Sequence, residues 1–171
     1  FIGPKRLQQT IRGAFPVWEY RAVSSTIRGF DLDFSLNLNK SIKLLNSFSW
    51  IEGIERISKT PLVNIPPFTS TNFIQFSIPK LKSFSIAVSN KMTLRQNHFP
   101  NYNFETSVVE NGVRVKKLVD ISTPPRGYHL LGMELHWGPY PFFSDKINVS
   151  LIFDNILNAS YRNYLNRLRF Y

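Results

Sequence analysis

Acidic side chains and one imidazole alternate with apolar residues at several places in the chain. These candidate ligand-contacting residues are Asp31, Asp33, Glu134, His136 and Asp154. Ionised carboxylates accept hydrogen bonds, and an imidazole donates or accepts them, so such a set could hold a polar ligand or pair with another protein segment. Ordinary solvated side chains are the more common occupants of a polar surface. The residue types alone leave both interpretations open.

Metal binding and hydrolysis are not indicated by the residue spacing. No two of the three histidines have the i, i+4 or closely spaced Cys/His pattern of a metal site, and the chain contains no cysteine. No Ser/His/Asp arrangement and no pair of carboxylates is localised by the sequence either. We therefore expect a protein without enzyme activity, without a metal ion of its own and without a cofactor.

Six stretches of the chain alternate apolar and polar residues with period two. The clearest carries apolar side chains at Phe30, Leu32, Phe34, Leu36 and Leu38. Strict alternation predicts β-strands whose two faces meet different environments. The stretches cover 17–23 and 30–38, counted together as the first strand, then 42–50, 74–78, 84–94, 131–137 and 147–153. Leu45, Asn46, Asn90 and Ile152 are exceptions to the alternation.

The connections between these strands are alternately short and long. Residues 39–41, 79–82 and 138–146 form short or moderate turns, whereas those around 61–67 and over 97–126 are long. The connection over 97–126 far exceeds the usual loop of about 4 to 6 residues and is predicted to have a function of its own. Outer-membrane barrels alternate short periplasmic turns with long extracellular loops in this way. The pattern therefore predicts an antiparallel transmembrane β-barrel.

A soluble β-sandwich also alternates polar and apolar residues, so a basic sandwich that binds an extended anionic partner is the alternative. Bulky outward residues on nearly every strand favour the barrel. Six strands are fewer than the roughly eight of the smallest bacterial barrels, and an open edge in lipid would leave backbone groups unsatisfied. We therefore expect a fragment, with about six to seven strands of a larger barrel and without the closing strand.

The chain is strongly basic, with a formal net charge of +10. Much of this charge falls in the presumed extracellular connections, at Arg114, Lys116, Lys117, Arg162, Arg167 and Arg169. Such residues could face lipopolysaccharide phosphates, an anionic chelate or solvent. A nucleic-acid surface would interleave basic and aromatic residues on one sheet face, whereas these strands keep their apolar faces free of charge. No nucleic-acid partner is expected.

The segment 151–171, LIFDNILNASYRNYLNRLRFY, resembles the penultimate strand and following loop of TonB-dependent outer-membrane receptors. That family often has a DN(L/I)xN run, a Tyr, a YL pair and a basic aromatic stretch. The matching residues here are Asp154, Asn155, Leu157, Asn158, Tyr161, Tyr164, Leu165, Arg167 and Arg169. Ile156 separates the DN pair from Leu157, which departs from the usual spacing. Residues 15–33 and 61–67 are similar to strand beginnings in the same family, and the arrangement is most like its Bacteroidetes type.

The resemblance implies that residues 1–171 are the C-terminal part of a receptor barrel of about 22 strands in the bacterial outer membrane. It implies a plug domain and a final strand outside this chain, and uptake powered by the TonB complex. The ligand would be scarce, such as a ferric siderophore or another metal chelate, which makes iron uptake the leading expectation. Besides the five polar residues above, it suggests Tyr161, Tyr164, Arg167 and Arg169 as ligand or plug contacts.

Overall fold

The computed structural model describes residues 2–11, 13–78, 80–81, 83–142 and 145–166. Within that part of the chain the regular structure consists of ten β-strands, with no helix that could span a membrane. The strands are β1 Ile2–Thr10, β2 Gly13–Tyr20, β3 Ser25–Asn37, β4 Ile42–Glu55, β5 Thr69–Ser77, β6 Phe84–Thr93, β7 Phe104–Glu110, β8 Val113–Val119, β9 Tyr128–Phe142 and β10 Asp145–Phe153.

Six of the strands form one antiparallel sheet in the order β10-β9-β6-β5-β4-β3. The other four make two separate hairpins, β1-β2 and β7-β8. Each strand of the large sheet pairs with the next one that belongs to it, so the chain meanders up and down without a crossover. The sheet is open, with β3 and β10 at its edges. The predicted all-β, antiparallel fold is confirmed, and its form is that of a β-barrel fragment.

Pairing of the strands aligns their apolar residues on one side of the sheet, which we call the apolar face. One row across all six strands consists of Leu36, Leu44, Ile74, Val88, Met133 and Phe153. Large side chains of this face remain open, for example Leu36 at 50% and Leu151 at 55% exposure. Among the described residues Ala87 is the one buried hydrophobic side chain, and no second sheet covers the apolar face. A β-sandwich would require such a covering sheet.

The height of the apolar face on β3 suits a bilayer. Residues Phe30 to Leu38 span about 26 Å along the strand, or about 20 Å if the strand is tilted by about 40°. Charged residues lie beyond both ends, at Arg28 on β3 and at Lys40 in the turn that follows β3. The apolar band of outer-membrane barrels, about 25 Å tall, falls between these two estimates.

One prediction about the strands is wrong. Residues 17–23 do not continue into the strand at 30–38, because β2 pairs with β1 and ends four residues before β3 begins. The long connection 97–126 contains a hairpin, β7-β8, which was not among the predicted strands. That hairpin closes through Asn111 and Gly112, whose φ angles of 52° and 80° are those a tight hairpin turn requires.

The turn expected over 138–146 is much shorter in the structure. Strand β9 continues to Phe142, β10 begins at Asp145, and Pro141 pairs with Lys146. Two prolines fit there because β6 pairs with β9 only as far as Trp137, which leaves one side of the later β9 residues without a strand partner. Likewise, Leu45 and Asn46 do not interrupt β4, whose pairing with β3 runs unbroken through both.

Candidate functional site

The long connections gather at one end of the sheet, where aromatic side chains line a cavity of about 450 Å³. Five aromatic rings contribute, from Trp18, Tyr20, Phe99, Tyr102 and Tyr164. The rest of the lining is Val63, Asn64, Pro100, Ile121, Ser122 and Asn166. Pockets of this size with aromatic walls and a few amide and hydroxyl groups are typical of small-molecule sites. None of the described residues that line this cavity carries a formal charge.

Trp18 and Tyr102 define one wall of the cavity. Their ring centroids lie 5.9 Å apart in an edge-to-face arrangement with an interplanar angle of 81°, a favourable geometry for an aromatic pair. Desolvation by burial raises the pKa of Tyr102, and the nearby negative charge of Glu55 raises it further. Tyr102 therefore stays protonated at neutral pH, and its hydroxyl is suited to hydrogen bonding rather than to proton transfer.

Asn103 holds the base of the β7-β8 hairpin beside this cavity. Its Oδ1 accepts hydrogen bonds from the backbone N–H groups of Ile121 and Ser122, both at 2.9 Å, and from Ser122 Oγ at 2.8 Å. Its Nδ2 donates to Thr123 Oγ1 at 3.0 Å. One carboxamide thus joins the segments that enter and leave the hairpin, which keeps Tyr102 and Ser122 at the cavity wall.

A second polar residue ties the two long connections to each other. Gln96 is 8% exposed, and its Nε2 donates to the backbone oxygens of Ile65 at 2.9 Å and Pro66 at 3.2 Å. Its Oε1 accepts a hydrogen bond from the His98 N–H at 2.9 Å. Because a buried amide is costly to leave unpaired, Gln96 fixes the β6–β9 connection against the β4–β5 connection near the cavity.

Glu134 and His136 form a hydrogen-bonded cluster with Ser150 on the side of the sheet opposite the apolar face, which we call the polar face. His136 Nε2 lies 3.1 Å from Glu134 Oε2, and His136 Nδ1 lies 2.9 Å from Ser150 Oγ. The side chains of His136 and Glu134 are 41% and 26% exposed. All three residues lie within paired parts of β9 and β10, and β9 is paired on both sides over Glu134 and His136. The cluster can bind a polar ligand, but it lacks the adjacent free donors of an oxyanion hole in the described part of the chain.

The other acidic candidates lie away from this cluster. Asp31 and Asp33 are exposed on β3, opposite Ser49 and Ser47. Three strands separate β3 from β9, which places the two strands about 19 Å apart across the sheet. No three His, Asp or Glu side chains of the described residues are grouped so that they could hold a metal ion.

Asp154 follows the end of β10 and lies beside Gly132 on the polar face. A Cβ built on Gly132 would lie 3.7 Å from Asp154 Oδ1 and 2.5 Å from Ser89 Oγ. The glycine therefore gives the chain room at this point of the wall. Asp154 belongs to the same face as Glu134, but no hydrogen bond joins the two.

Within the DN(L/I)xN-like run, Asn155 has a structural role. Its Oδ1 accepts a hydrogen bond from the Ala159 N–H at 2.8 Å, and its Nδ2 donates to the Ala159 carbonyl at 3.1 Å. Of the predicted contacts that follow, Tyr161 contacts Tyr128 in a tilted arrangement, with ring centroids 4.5 Å apart and an interplanar angle of 38°. Tyr164 lines the cavity. The structure thus places Tyr164 with the other aromatic residues that line the cavity. Arg167 and Arg169 lie outside the described residues.

The prediction of site residues missed most of the cavity. Trp18, Tyr20, Phe99 and Tyr102 come from segments far apart in the chain, and no spacing rule links them. The Asn111–Gly112 pair between two alternating valine-rich runs is a recognised hairpin signal, and it would have located the hairpin whose base borders the cavity.

These features define the class of structure: an open, antiparallel β-sheet with one apolar and one polar face, of the kind that forms the wall of a β-barrel. Neither a protein-family model nor a curated protein matches the chain. Sixteen chains of solved structures do match. One is copper transporter OprC, with a TM-score of 0.70 at 14% sequence identity, over 97% of this chain and 22% of that chain. The chain thus spans about a fifth of that neighbour, and the likeness shows the fold alone.

Proposed function

We propose that this chain forms part of the wall and of the extracellular connections of a bacterial outer-membrane active transporter. The observation that carries the proposal is the uncovered apolar face of the six-stranded sheet, opposite a polar face. Lipid would cover the first, and a water-filled or plugged lumen would meet the second. The name of the structural neighbour, copper transporter OprC, supports a transport role and makes a metal-containing cargo reasonable.

We infer further that uptake is TonB-dependent and that the ligand is scarce, such as a ferric siderophore or another metal chelate. The resemblance of residues 151–171 to TonB-dependent receptors supports this. The partners would be outer-membrane lipid, lipopolysaccharide, a plug domain and the TonB complex. The protein would have no enzyme activity, and the metal would be cargo rather than a resident cofactor.

Two regions have different roles in this proposal. The aromatic cavity at the end with the long connections would receive the ligand from outside, and Trp18, Tyr102 and Tyr164 would contact it. Farther along the wall, the cluster of Glu134 and His136 would contact the ligand or the plug. Asp31 and Asp33 would act elsewhere on the circumference, because they lie on a distant strand.

The location of the native polypeptide tests the class of protein. We expect an antibody against this segment to detect, in fractionated cells, an outer-membrane band several times larger than 19.9 kDa that migrates faster when the sample is not heated. A soluble band near 19.9 kDa would contradict the proposal and favour the basic β-sandwich.

Uptake measurements test the ligand. Cells that carry the Trp18→Ala, Tyr102→Ala double variant of the full-length protein should take up iron-55 from a ferric hydroxamate chelate with a KM at least fivefold higher than that of the parent. The matched control is Trp137→Ala, an aromatic residue 55% exposed on the apolar face. Equal uptake by the double variant and the parent would refute the role of the cavity. No saturable iron uptake by the parent would refute this iron chelate as cargo.

A further inference from the structure

Three asparagines lie side by side in the middle of the apolar face. Asn46 on β4 pairs directly with Asn72 on β5, and Asn72 pairs with Asn90 on β6. Directly opposite residues of antiparallel strands have Cβ atoms about 4.5 to 5.5 Å apart. The three carboxamides therefore form one continuous row, which we call the asparagine row, about 10 Å long across three strands.

Most of the side chains around the asparagine row are apolar, and Ser70 is the polar neighbour of Asn72 on β5. Phe34 continues the row on one side and Leu131 on the other. Two residues nearer the short turns, the same strands carry Leu44, Ile74 and Val88. Phe34 is the middle residue of the alternating apolar run that begins at Phe30 and ends at Leu38. The asparagine row is thus at the mid-height of the face that, on the proposed function, meets lipid.

The hydrogen-bonding capacity of these carboxamides is largely unused. Asn72 Nδ2 donates to Ser70 Oγ at 3.0 Å. In the described part of the chain, Asn46 and Asn90 make no side-chain hydrogen bond, and both are partly exposed. An amide in hydrocarbon without a partner is unfavourable. Asn is also too short to extend its polar group to the membrane surface, as Lys and Arg do.

We propose that the asparagine row is the centre of an interface with a second copy of the same protein in the membrane. A carboxamide carries two donor hydrogens and an acceptor oxygen, so a surface of identical carboxamides is complementary to itself. Self-complementarity is what a twofold interface requires, because the same patch occurs on both subunits. Polar residues within apolar membrane surfaces join protein segments by the same hydrogen bonding.

Membrane geometry sets the arrangement of the two copies. Both must have the same orientation across the bilayer, so the twofold axis runs along the membrane normal. With the axis at Asn72, the central carboxamide meets Asn72 of the second copy, and Asn46 lies on the same side of the axis as Asn90 of the second copy. Strands tilted by about 40° incline the row to the membrane plane, so its two ends differ in height by about 6 Å. The hydrogen-bonded contact therefore centres on the two Asn72 carboxamides, and the surrounding Leu, Ile and Val residues exclude lipid from it.

The test is photo-crosslinking of the full-length protein in its own outer membrane, with two differently tagged copies in one cell. The probe is Ile74→p-benzoylphenylalanine, because Ile74 lies beside Asn72 on the same face, is 41% exposed and leaves the asparagine row intact. We expect a product of twice the monomer mass that contains both tags. The control Gln75→p-benzoylphenylalanine, on the polar face, should give no such product.

A second background tests whether the carboxamides cause the contact. With the same probe, the Asn46→Leu, Asn72→Leu, Asn90→Leu variant should lower the yield of the double-mass product at least fivefold, while the heat-modifiable monomer persists. If the triple variant does not assemble, Asn72→Gly, which removes only the central carboxamide, serves the same comparison. An undiminished yield in an assembled variant overturns the inference.

The outcomes separate this inference from the proposed function, on which it rests. A product with lipid alone, or with a different protein, in a correctly assembled outer-membrane barrel overturns the dimer and leaves the transporter proposal standing. Absence of the parent protein from the outer membrane overturns both. A double-mass product that depends on the asparagine row supports both.

Discussion

A single arginine placed on either face of β3 distinguishes a membrane wall from a water-soluble sheet. Phe34 and Ser35 are consecutive residues, so their side chains point to opposite faces. Phe34 lies on the apolar face at 46% exposure, and its ring stacks on Phe48 with centroids 6.0 Å apart. Ser35 is exposed on the polar face. We compare Phe34→Arg with the matched control Ser35→Arg in the full-length protein.

The expected cost of Phe34→Arg has two parts. Arginine at the mid-height of a lipid-facing barrel strand costs about 2 to 4 kcal/mol. Loss of the aromatic pair with Phe48 adds about 0.5 to 1.5 kcal/mol. The sum, about 2.5 to 5.5 kcal/mol, corresponds to a decrease of roughly 60-fold to 8000-fold in the folding equilibrium constant. Ser35→Arg should change the free energy of unfolding by less than about 0.5 kcal/mol.

The measurement is urea-induced unfolding of the barrel in phospholipid vesicles, followed by the loss of fast migration of the unheated protein. Leu151→Arg, on the opposite edge strand and 55% exposed, should show a cost of the same order. If both lipid-face variants unfold at the same urea concentration as Ser35→Arg, the apolar face does not meet lipid. If Phe34→Arg lowers the free energy of unfolding only by the amount expected for the lost Phe34–Phe48 pair, the result would indicate a water-exposed sheet.

Three further predictions concern the loops and the polar face. Asn103→Ala removes four hydrogen bonds at the base of the β7-β8 hairpin, and we expect the free energy of local unfolding to fall by about 2 to 4 kcal/mol. Limited proteolysis within 104–119 should become faster, and an unchanged cleavage rate would refute this role of Asn103. Gly132→Val places a Cβ 2.5 Å from Ser89 Oγ and should destabilise the barrel by about 1 to 3 kcal/mol. In a double-mutant cycle, Ser89→Ala should recover part of this lost stability, and strictly additive free-energy changes of the two substitutions would contradict the predicted contact. The pKa of Tyr102 is raised in the folded protein, so the tyrosine of the unfolded chain ionises first as the pH rises; its contribution to the free energy of unfolding is complete below about pH 10 and is lost as the pH rises through the folded pKa. Tyr102→Phe should therefore lose less stability than the parent between pH 9 and 11, and identical stability profiles of the two proteins over this range would exclude the contribution.

The strands of the large sheet were predictable because one physical requirement acts on every second residue. Each position on the apolar face, such as Leu36 or Ile74, meets a different environment from its neighbours in the chain, so the period of two is visible in the sequence. The beginning of β3 was not predictable in this way. Between Ser25 and Gly29 the alternation is weak, and only the pairing of Ser25 with Glu55 extends the strand that far.

The aromatic cavity was less predictable, because it depends on tertiary structure. Its rings come from β2, the β6–β9 connection and the segment after β10. Gln96 and Asn103 position these segments through side-chain bonds to backbone atoms that are distant in sequence. Such contacts produce no periodic pattern in the amino-acid sequence. By contrast, the proximity of Glu134 and His136 follows from their i, i+2 spacing on one face of a strand.

The exceptions to the alternation become informative only once the register is known. In the sequence, Asn46 and Asn90 are two isolated departures in strands that do not touch each other, and Asn72 lies before the stretch that shows the clearest alternation. Pairing through β5 brings all three onto one row. Chance departures on separate strands would fall at unrelated register positions, whereas one shared row near the middle of the face is what a specific interface requires. The register therefore turns three weak signals into one testable site, and substitution of the asparagine row by leucine separates that site from the stability of the barrel itself.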